Sequence, residues 1–241
     1  MDKLEELLAQ PRRVAAFTGA GISTLCGIPD FRGPKGLYAK PDAERIFDID
    51  WFRRDPSLYY KGCAELVYGL ERYRPGPVHE ALVRLERADR LAGIITQNID
   101  MLHQKAGSSC VYEVHGSPIL HHCFDCGDEK GFDEILAMLR NESVPRCPRC
   151  GGVYKPDITF FGEALPEAAW EGAERLAREV DTMLVLGSSL TVHPAAMLPQ
   201  MALRAGAKLV IVNAQPTPLD RYAALHLEDL SVFAKWVVSR F

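Results

Sequence analysis

Two Cys-x-x-Cys units, Cys123/Cys126 and Cys147/Cys150, stand twenty residues apart, and no other feature constrains this chain as tightly. Thiolate pairs at that spacing close a tetrahedral site around one zinc ion. Four sulfurs complete the coordination shell and leave no position for a reactive water. The metal is therefore expected to staple a module and take no part in chemistry. His121 and His122, beside the first pair, are then not needed as ligands. A redox pair or free thiols is the competing reading, which the spacing disfavours. Cys26, Cys63 and Cys110 are scattered, as reduced thiols are, and suggest no disulfide framework.

The chain has 241 residues, of which 47% are hydrophobic, enough for an α/β body with a smaller appended module. The longest apolar runs, such as 183–186 and 209–212, are far too short to cross a bilayer, so no membrane partner is expected. Acidic Asp2, Glu5 and Glu6 stand where a secretory signal would carry positive charge, which leads us to expect a soluble cytoplasmic protein. A net charge of −4 argues against a nucleic-acid partner, since phosphate binding shows as a basic surplus. With no extension or heptad seam, and a chain ending at Phe241 without a tail, a monomer without a regulatory segment is expected.

Short apolar runs alternate with helical patterns along most of the sequence. Strands are expected at 14–17, 93–96, 111–114, 183–186 and 208–212, with helices over 3–9, 78–90, 167–180 and 195–205. That rhythm implies a parallel, Rossmann-like sheet covered by helices on both faces. Two stretches break it: an aromatic- and Arg-rich segment at 35–76 and the cysteine segment at 119–154. They are read as insertions that build one small domain, a helical part and a zinc-binding module. Residues 1–34, 77–118 and 155–241 then form the large domain.

Polar turns follow several of these strands, and in open parallel sheets ligands bind at the carboxyl ends of strands. Gly19, Ala20, Gly21 and Thr24 follow the first strand, where glycines let the backbone approach a pyrophosphate. Thr24 occupies the place of the third glycine of a dinucleotide fingerprint, and no acidic ribose partner stands about 20 residues on. Asp30 and Arg32 offer an acceptor and a fixed cation, unless they form a solvated ion pair. Gln97, Asn98 and Asp100 follow the second strand, although Asn98 or Asp100 could equally cap a helix. His115, followed by Gly116 at a strand end, is a general-base candidate. Gly187, Ser188 and Ser189, and then Asn213, repeat the pattern. Five such turns on one chain point to a single crevice lined by strand ends.

In that order, Gly19-Ala20-Gly21-Ile22-Ser23, Gly27-Ile28-Pro29-Asp30-Phe31-Arg32, Thr96-Gln97-Asn98-Ile99-Asp100, His115-Gly116, the two cysteine pairs, Phe160-Phe161-Gly162-Glu163, Gly187-Ser188-Ser189 and Asn213 make the chain resemble the sirtuins, NAD-dependent protein-lysine deacylases. The likeness covers nearly the whole sequence and is greatest to compact bacterial or archaeal members. It implies a Rossmann-like domain and a small zinc domain, with NAD and an acetylated protein or peptide entering the cleft between them. By this resemblance Ala20, Gly21, Arg32, Ser188, Ser189 and Asn213 hold the phosphates and adenosine half, Gly19, Thr24, Gln97 and Gly187 also bind the cofactor, and Asp229 and Leu230 lie near the adenine. Ile99 and Asp100 form the nicotinamide pocket, with Asp30 and Phe31 beside it. Thr159, Phe161, Gly162, Glu163 and Val192 seat the peptide as an added strand. The implied reaction consumes NAD. The acyl oxygen attacks the ribose carbon, nicotinamide leaves, His115 acts as general base on a ribose hydroxyl, and Asn98 orients the ribose or a water. Lysine and an O-acyl-ADP-ribose result.

Two departures bear on specificity. Family members that remove succinyl groups carry a Tyr and an Arg three apart; a gap-free alignment from Asp55-Pro56 puts Cys63 and Leu66 there. A buried carboxylate without a cation is costly, so acetyl and longer apolar acyl groups are expected over succinyl. Thr159 replaces the usual aliphatic residue before Phe160, and its hydroxyl is not a neutral exchange in an apolar channel. Rival readings are a mono-ADP-ribosyltransferase on the same scaffold, an NAD-binding sensor that releases no nicotinamide, and a zinc-ribbon nucleic-acid binder.

Overall fold

The structure, a computed structural model, describes residues 1–9, 13–29 and 43–241. The chain divides into two compact units, one of Met1–Asp30, Arg74–Val114 and Glu167–Phe241, the other of Phe31–Tyr73 and His115–Pro166.

The first unit is built on six parallel strands: β1 (Val14–Thr18), β2 (Gly93–Thr96), β3 (Val111–Glu113), then β7 (Thr182–Leu186), β8 (Lys208–Val212) and β9 (Ala223–Leu227), after the other unit's β4 to β6 described below. Their order across the sheet is β3-β2-β1-β7-β8-β9, every neighbouring pair parallel. The alternation of side chains along each strand divides the apolar residues between two cores. Val14, Ala16, Leu184, Leu186, Val210 and Val212 face one core; Ala15, Phe17, Met183, Val185, Leu209 and Ile211 face the other. Helices Asp2–Leu8, Pro77–Arg87 and Leu230–Arg240 bring residues to the first core, while Glu167–Glu179 and Met197–Arg204 serve the second. The chain runs outward from β1 to β3 and then returns to β7 on the opposite side of β1. That reversal is the topological switch point at which open α/β sheets bind ligands.

The second unit carries an antiparallel sheet of order β5-β4-β6, with β4 at Gly116–Cys123, β5 at Glu129–Gly131 and β6 at Tyr154–Ile158. β6 pairs Cys123 with Tyr154 and His122 with Lys155. This strand therefore lies in the small sheet, although a boundary at residue 155 was expected, and the unit continues to Pro166. Short helices at Ala43–Ile46, Ile49–Arg54 and Pro56–Cys63, and the turn between the first two, carry an aromatic cluster in which Phe47, Phe52 and Tyr59 meet Phe160 edge-on or tilted at 5.1–5.6 Å. Two of these helices are capped by aspartates, Asp48 accepting from the Asp50 and Trp51 amides and Asp55 from that of Ser57. Among the described residues no helix is long and apolar enough to cross a membrane.

Candidate active site and zinc centre

At the carboxyl ends of β1 and β7 two turns press backbone against backbone. The Gly19 amide donates to Leu186 O at 3.0 Å and the Gly21 amide to Gly187 O at 2.9 Å. A Cβ on Gly19 would lie 2.7 Å from Gly187 O, and one on Gly21 2.8 Å from Gly187 Cα. Gly187 itself has φ +61°, and a Cβ there would stand 2.5 Å from Ile22 N. Only glycine lets these turns close at the switch point. The helix after β1 is a single turn, Gly21–Thr24, shorter than the glycine-turn pattern suggests. Thr24 spends its hydroxyl on Gly21 O at 2.8 Å and is exposed.

The turn after β2 brings in the next group. Asn98 and Asp100 are buried. Asn98 Nδ2 donates to Gly19 O at 3.2 Å and to Ser23 Oγ at 3.3 Å, tying the β2 turn to the β1 turn. Ser23 Oγ donates to Asp100 Oδ2 at 2.6 Å, and Asp100 Oδ1 accepts from the Leu102 amide at 2.9 Å. Met101, next in chain, holds the left-handed conformation at φ 60°. Such backbone persists only where surrounding bonds over-determine it, as those of Asp100 do. Ile99 is buried beside them, and Gln97 Nε2 donates to Ser188 Oγ at 2.9 Å, linking the β2 and β7 turns.

Beneath this network lies a buried layer that includes two histidines, His79 and His103, which no sequence motif marks. Thr18 Oγ1 donates to Thr96 Oγ1 at 2.8 Å, which also accepts the Asn98 amide at 3.0 Å. His103 Nε2 reaches Thr18 Oγ1 at 2.9 Å, and the rings of His103 and His79 lie 4.9 Å apart. Burial pushes the His103 imidazole down to about 3, with His79 adding to the effect. Burial also lowers His79, against an opposing pull from the Asp100 charge. Burial, followed by the Asp100 charge, raises the Cys26 thiol. His79 and His103 stand in helical patterns that give no sign of partners so distant in sequence, and Ser23, although within the glycine-turn motif, gives no sign of its bond to Asp100.

The other expected cofactor residues are placed as follows. Ser189 Oγ pairs with Thr191 Oγ1 at 2.9 Å, near Leu190 with φ 56°. Asn213 stands at the carboxyl end of β8, its side-chain Nδ2 donating to Gln215 O at 2.7 Å. Asp229 caps the helix that Leu230 opens, accepting from the Ser231 amide at 2.7 Å. Asp30, Phe31 and Arg32 lie outside the described residues. The neutral amides and hydroxyls of Gln97, Asn98, Ser188 and Ser189, with glycine backbone at the switch point, fit the diphosphate and ribose hydroxyls of a dinucleotide.

In the second unit, His115 directly precedes β4, and its carbonyl accepts the Thr159 amide at 2.8 Å. Thr159 is half-buried, Phe161 and Gly162 are exposed, and Glu163 is half-buried. In the first unit, Val192 O accepts the Ala196 amide at 2.8 Å. The four cysteine sulfurs lie within 4.8 Å of one another, with Cys123–Cys150 at 3.4 Å and Cys126–Cys147 at 3.7 Å. A tetrahedron of thiolates about 2.3 Å from zinc has edges of about 3.8 Å, so the cluster fits that ion. Each pair sits on the same turn. The Cys123 carbonyl accepts the Gly127 amide at 2.9 Å and that of Cys147 the Gly151 amide at 2.8 Å. His121 instead pairs with Tyr68 at 3.0 Å, and His122 with Asp157 at 2.7 Å.

Comparison with known proteins agrees with this geometry. The family model described as "Sir2 family" matches residues 19–194. An NAD-dependent protein deacetylase of Thermotoga maritima is 41% identical over 239 residues, covering 99% of this chain and 97% of that protein. An NAD-dependent protein deacylase 2 of Archaeoglobus fulgidus is 44% identical over 90% of this chain and 86% of its own. A solved Sir2 structure with a deacetylated p53 peptide and 3′-O-acetyl-ADP-ribose superposes with TM-score 0.95 at 41% identity, covering 99% of this chain and 97% of that one. A further structure, Sir2Tm bound to a propionylated peptide, gives 0.91 at 39% identity and the same coverage.

Proposed function

Because the chain belongs to the Sir2 family, we propose that it is an NAD-dependent protein-lysine deacetylase that transfers the acyl group to ADP-ribose and releases nicotinamide. The observation that carries this reading is the buried Ser23–Asp100–Asn98 network at the carboxyl ends of β1 and β2, beside the Gly19–Gly21–Gly187 turns. NAD, when bound, supplies the ribosyl carbon that accepts the acyl oxygen. Gly19, Ala20, Gly21, Gln97, Ser188, Ser189 and Asn213 are assigned to its phosphates and adenosine half. Ile99 and Asp100 are assigned to the nicotinamide end. Asn98 orients a ribose hydroxyl or water, a task that suits an amide already fixed by two hydrogen bonds. His115 takes a proton from that hydroxyl as general base. Thr159, Phe161, Gly162 and Val192 are assigned to the peptide, bound as an added strand, with Glu163 in the turn that carries them. The four cysteines hold a structural zinc ion.

The acyl group is expected to be acetyl or a longer apolar chain. Cys63 is fully buried, and a thiol carries no positive charge in either protonation state, so it offers no cation to a succinyl carboxylate. Desuccinylation as fast as deacetylation would refute this preference. The reading also takes the enzyme to be a cytoplasmic monomer, and light scattering that gives a dimer mass would correct it.

The deciding experiment is nicotinamide release from NAD with and without an acetyl-lysine peptide, for the wild type and His115→Ala. Peptide-dependent release with O-acetyl-ADP-ribose, lost in the variant, is the expected result. Release without peptide, or label on protein, would replace the reading with a glycohydrolase or an ADP-ribosyltransferase.

A further inference from the structure

Lys155 is a charged residue buried in the small unit, with only 8% of its surface exposed. Lysines are almost never buried to this degree unless paired. Its ammonium has three donors, and three acceptors meet it: Pro156 O at 3.1 Å, Ile158 O at 2.8 Å and Glu163 Oε2 at 2.8 Å. The Nζ also stands 4.1 Å from the Phe160 ring centroid. The same Glu163 oxygen accepts the Phe160 amide at 2.8 Å. One carboxylate therefore ties Lys155, near the start of β6, to the turn that follows the strand.

What that turn contains makes the tie informative. Phe160 is buried in the aromatic cluster, whereas Phe161 beside it is 47% exposed. The Phe161 amide donates to Phe47 O at 2.7 Å and its carbonyl accepts the Ile49 amide at 3.1 Å. The Thr159 amide holds the carbonyl of His115 at 2.8 Å. Lys155, Thr159 and Glu163 together line a depression of about 390 Å³. Stability alone does not call for an ion pair here, because buried pairs are often replaceable by apolar groups at no loss. A pair that sets geometry is not replaceable in that way.

We propose that buried Lys155 and half-buried Glu163 form a clip that positions residues 159–162 and the His115 backbone for the acylated peptide, with Glu163 acting from within the turn and not as a peptide contact. The proposal rests on the deacylase reading for its kinetic consequence, and on the hydrogen bonds alone for its structural one.

The test uses full-length Lys155→Met and the double variant Lys155→Met/Glu163→Gln. The double variant leaves no stranded charge and keeps an acceptor for the Phe160 amide, so it serves if the single variant fails to fold. KM for an acetyl-lysine peptide is expected to rise at least tenfold while KM for NAD moves less than twofold. Amide exchange of Thr159 to Glu163 should quicken at least tenfold, with the six-strand sheet unchanged. An unchanged peptide KM in a folded variant, an equal rise in both KM values, or unaltered exchange at 159–163 would each overturn the clip. If the wild type itself shows no peptide-dependent nicotinamide release, the deacylase reading fails, and the exchange rates still decide the clip.

Discussion

Gly187 shows at the scale of one residue how the site is made. Its φ of +61° and the Ile22 amide 2.5 Å from any added Cβ leave room for backbone alone. Gly187→Ala should cost about 1–3 kcal/mol of stability, the usual range for backbone forced into a sparse region. It should also weaken NAD binding more than tenfold by calorimetric titration, because Gly21 must move. Gly206 is the control: φ is +100° and nothing lies within 4 Å of a Cβ there. Gly206→Ala should cost about 1–2 kcal/mol from the left-handed conformation and leave NAD affinity within twofold. Equal losses of affinity would show that the Gly187 contact is not what shapes the turn. Asp100 gives a second prediction. Asp100→Ala would remove the partner of both Ser23 and the Leu102 amide, costing about 3–6 kcal/mol as two hydrogen bonds to a charged group are lost. Nicotinamide release should disappear, and a variant that keeps it would remove Asp100 from the site. Asp100 and Asn98 could be picked out in the sequence because they follow an apolar strand. Ser23 stood within the glycine-turn motif, but its bond to Asp100 was not legible, because the partner is 77 residues away and lies on another turn.

The elements that carry these residues were legible in proportion to how one-sided their burial is. Strands β2 and β8 match their apolar runs, since strands covered on both faces are apolar throughout. β9 was missed because Ala223–Leu227 is an edge strand, only half-buried and carrying an exposed His226. β4 was missed for the opposite reason. Its inward positions include His121, a polar residue that finds its partner in Tyr68 on another element. A buried histidine also drives the prediction at this scale. His103 links the helix Leu102–Ala106 to β1 and titrates at about 3 when folded, against about 6.5 when unfolded. Between those values the unfolded chain binds the extra proton, so stability rises with pH through this window and is complete above the unfolded value. His79 shifts in the same direction and contributes with the same sign. His103→Gln should flatten the slope of stability against pH below pH 6 by about one proton, or about 1.4 kcal/mol per pH unit. Urea titrations at a series of pH values measure that slope. An unchanged slope would mean that His103 protonates within the folded protein.

At the scale of the whole molecule, the two units are stabilised by different means. The six-strand sheet buries two apolar cores, and that design shows in the sequence as continuous runs whose alternate residues face opposite sides. The small unit has a short three-strand sheet, brief helices and an aromatic cluster, so its shape was not legible from periodicity; only its staple was. The staple should therefore dominate its stability. Structural zinc contributes roughly 10–16 kcal/mol of folding free energy in small metal modules, as much as the total stability of an ordinary domain. Removing it should unfold residues 116–158 as a block, because β4 and β6 each flank a cysteine turn and pair directly with each other. The six-strand sheet has no cysteine of that cluster and should persist. Calorimetry of the chelated protein is expected to retain one transition, and exchange should lose protection in the small sheet alone. Deacetylation should cease, because the turn that holds the His115 carbonyl hangs from β6. Activity that survives complete chelation, with the metal shown to be gone, would mean that the aromatic cluster and not the zinc holds this unit together.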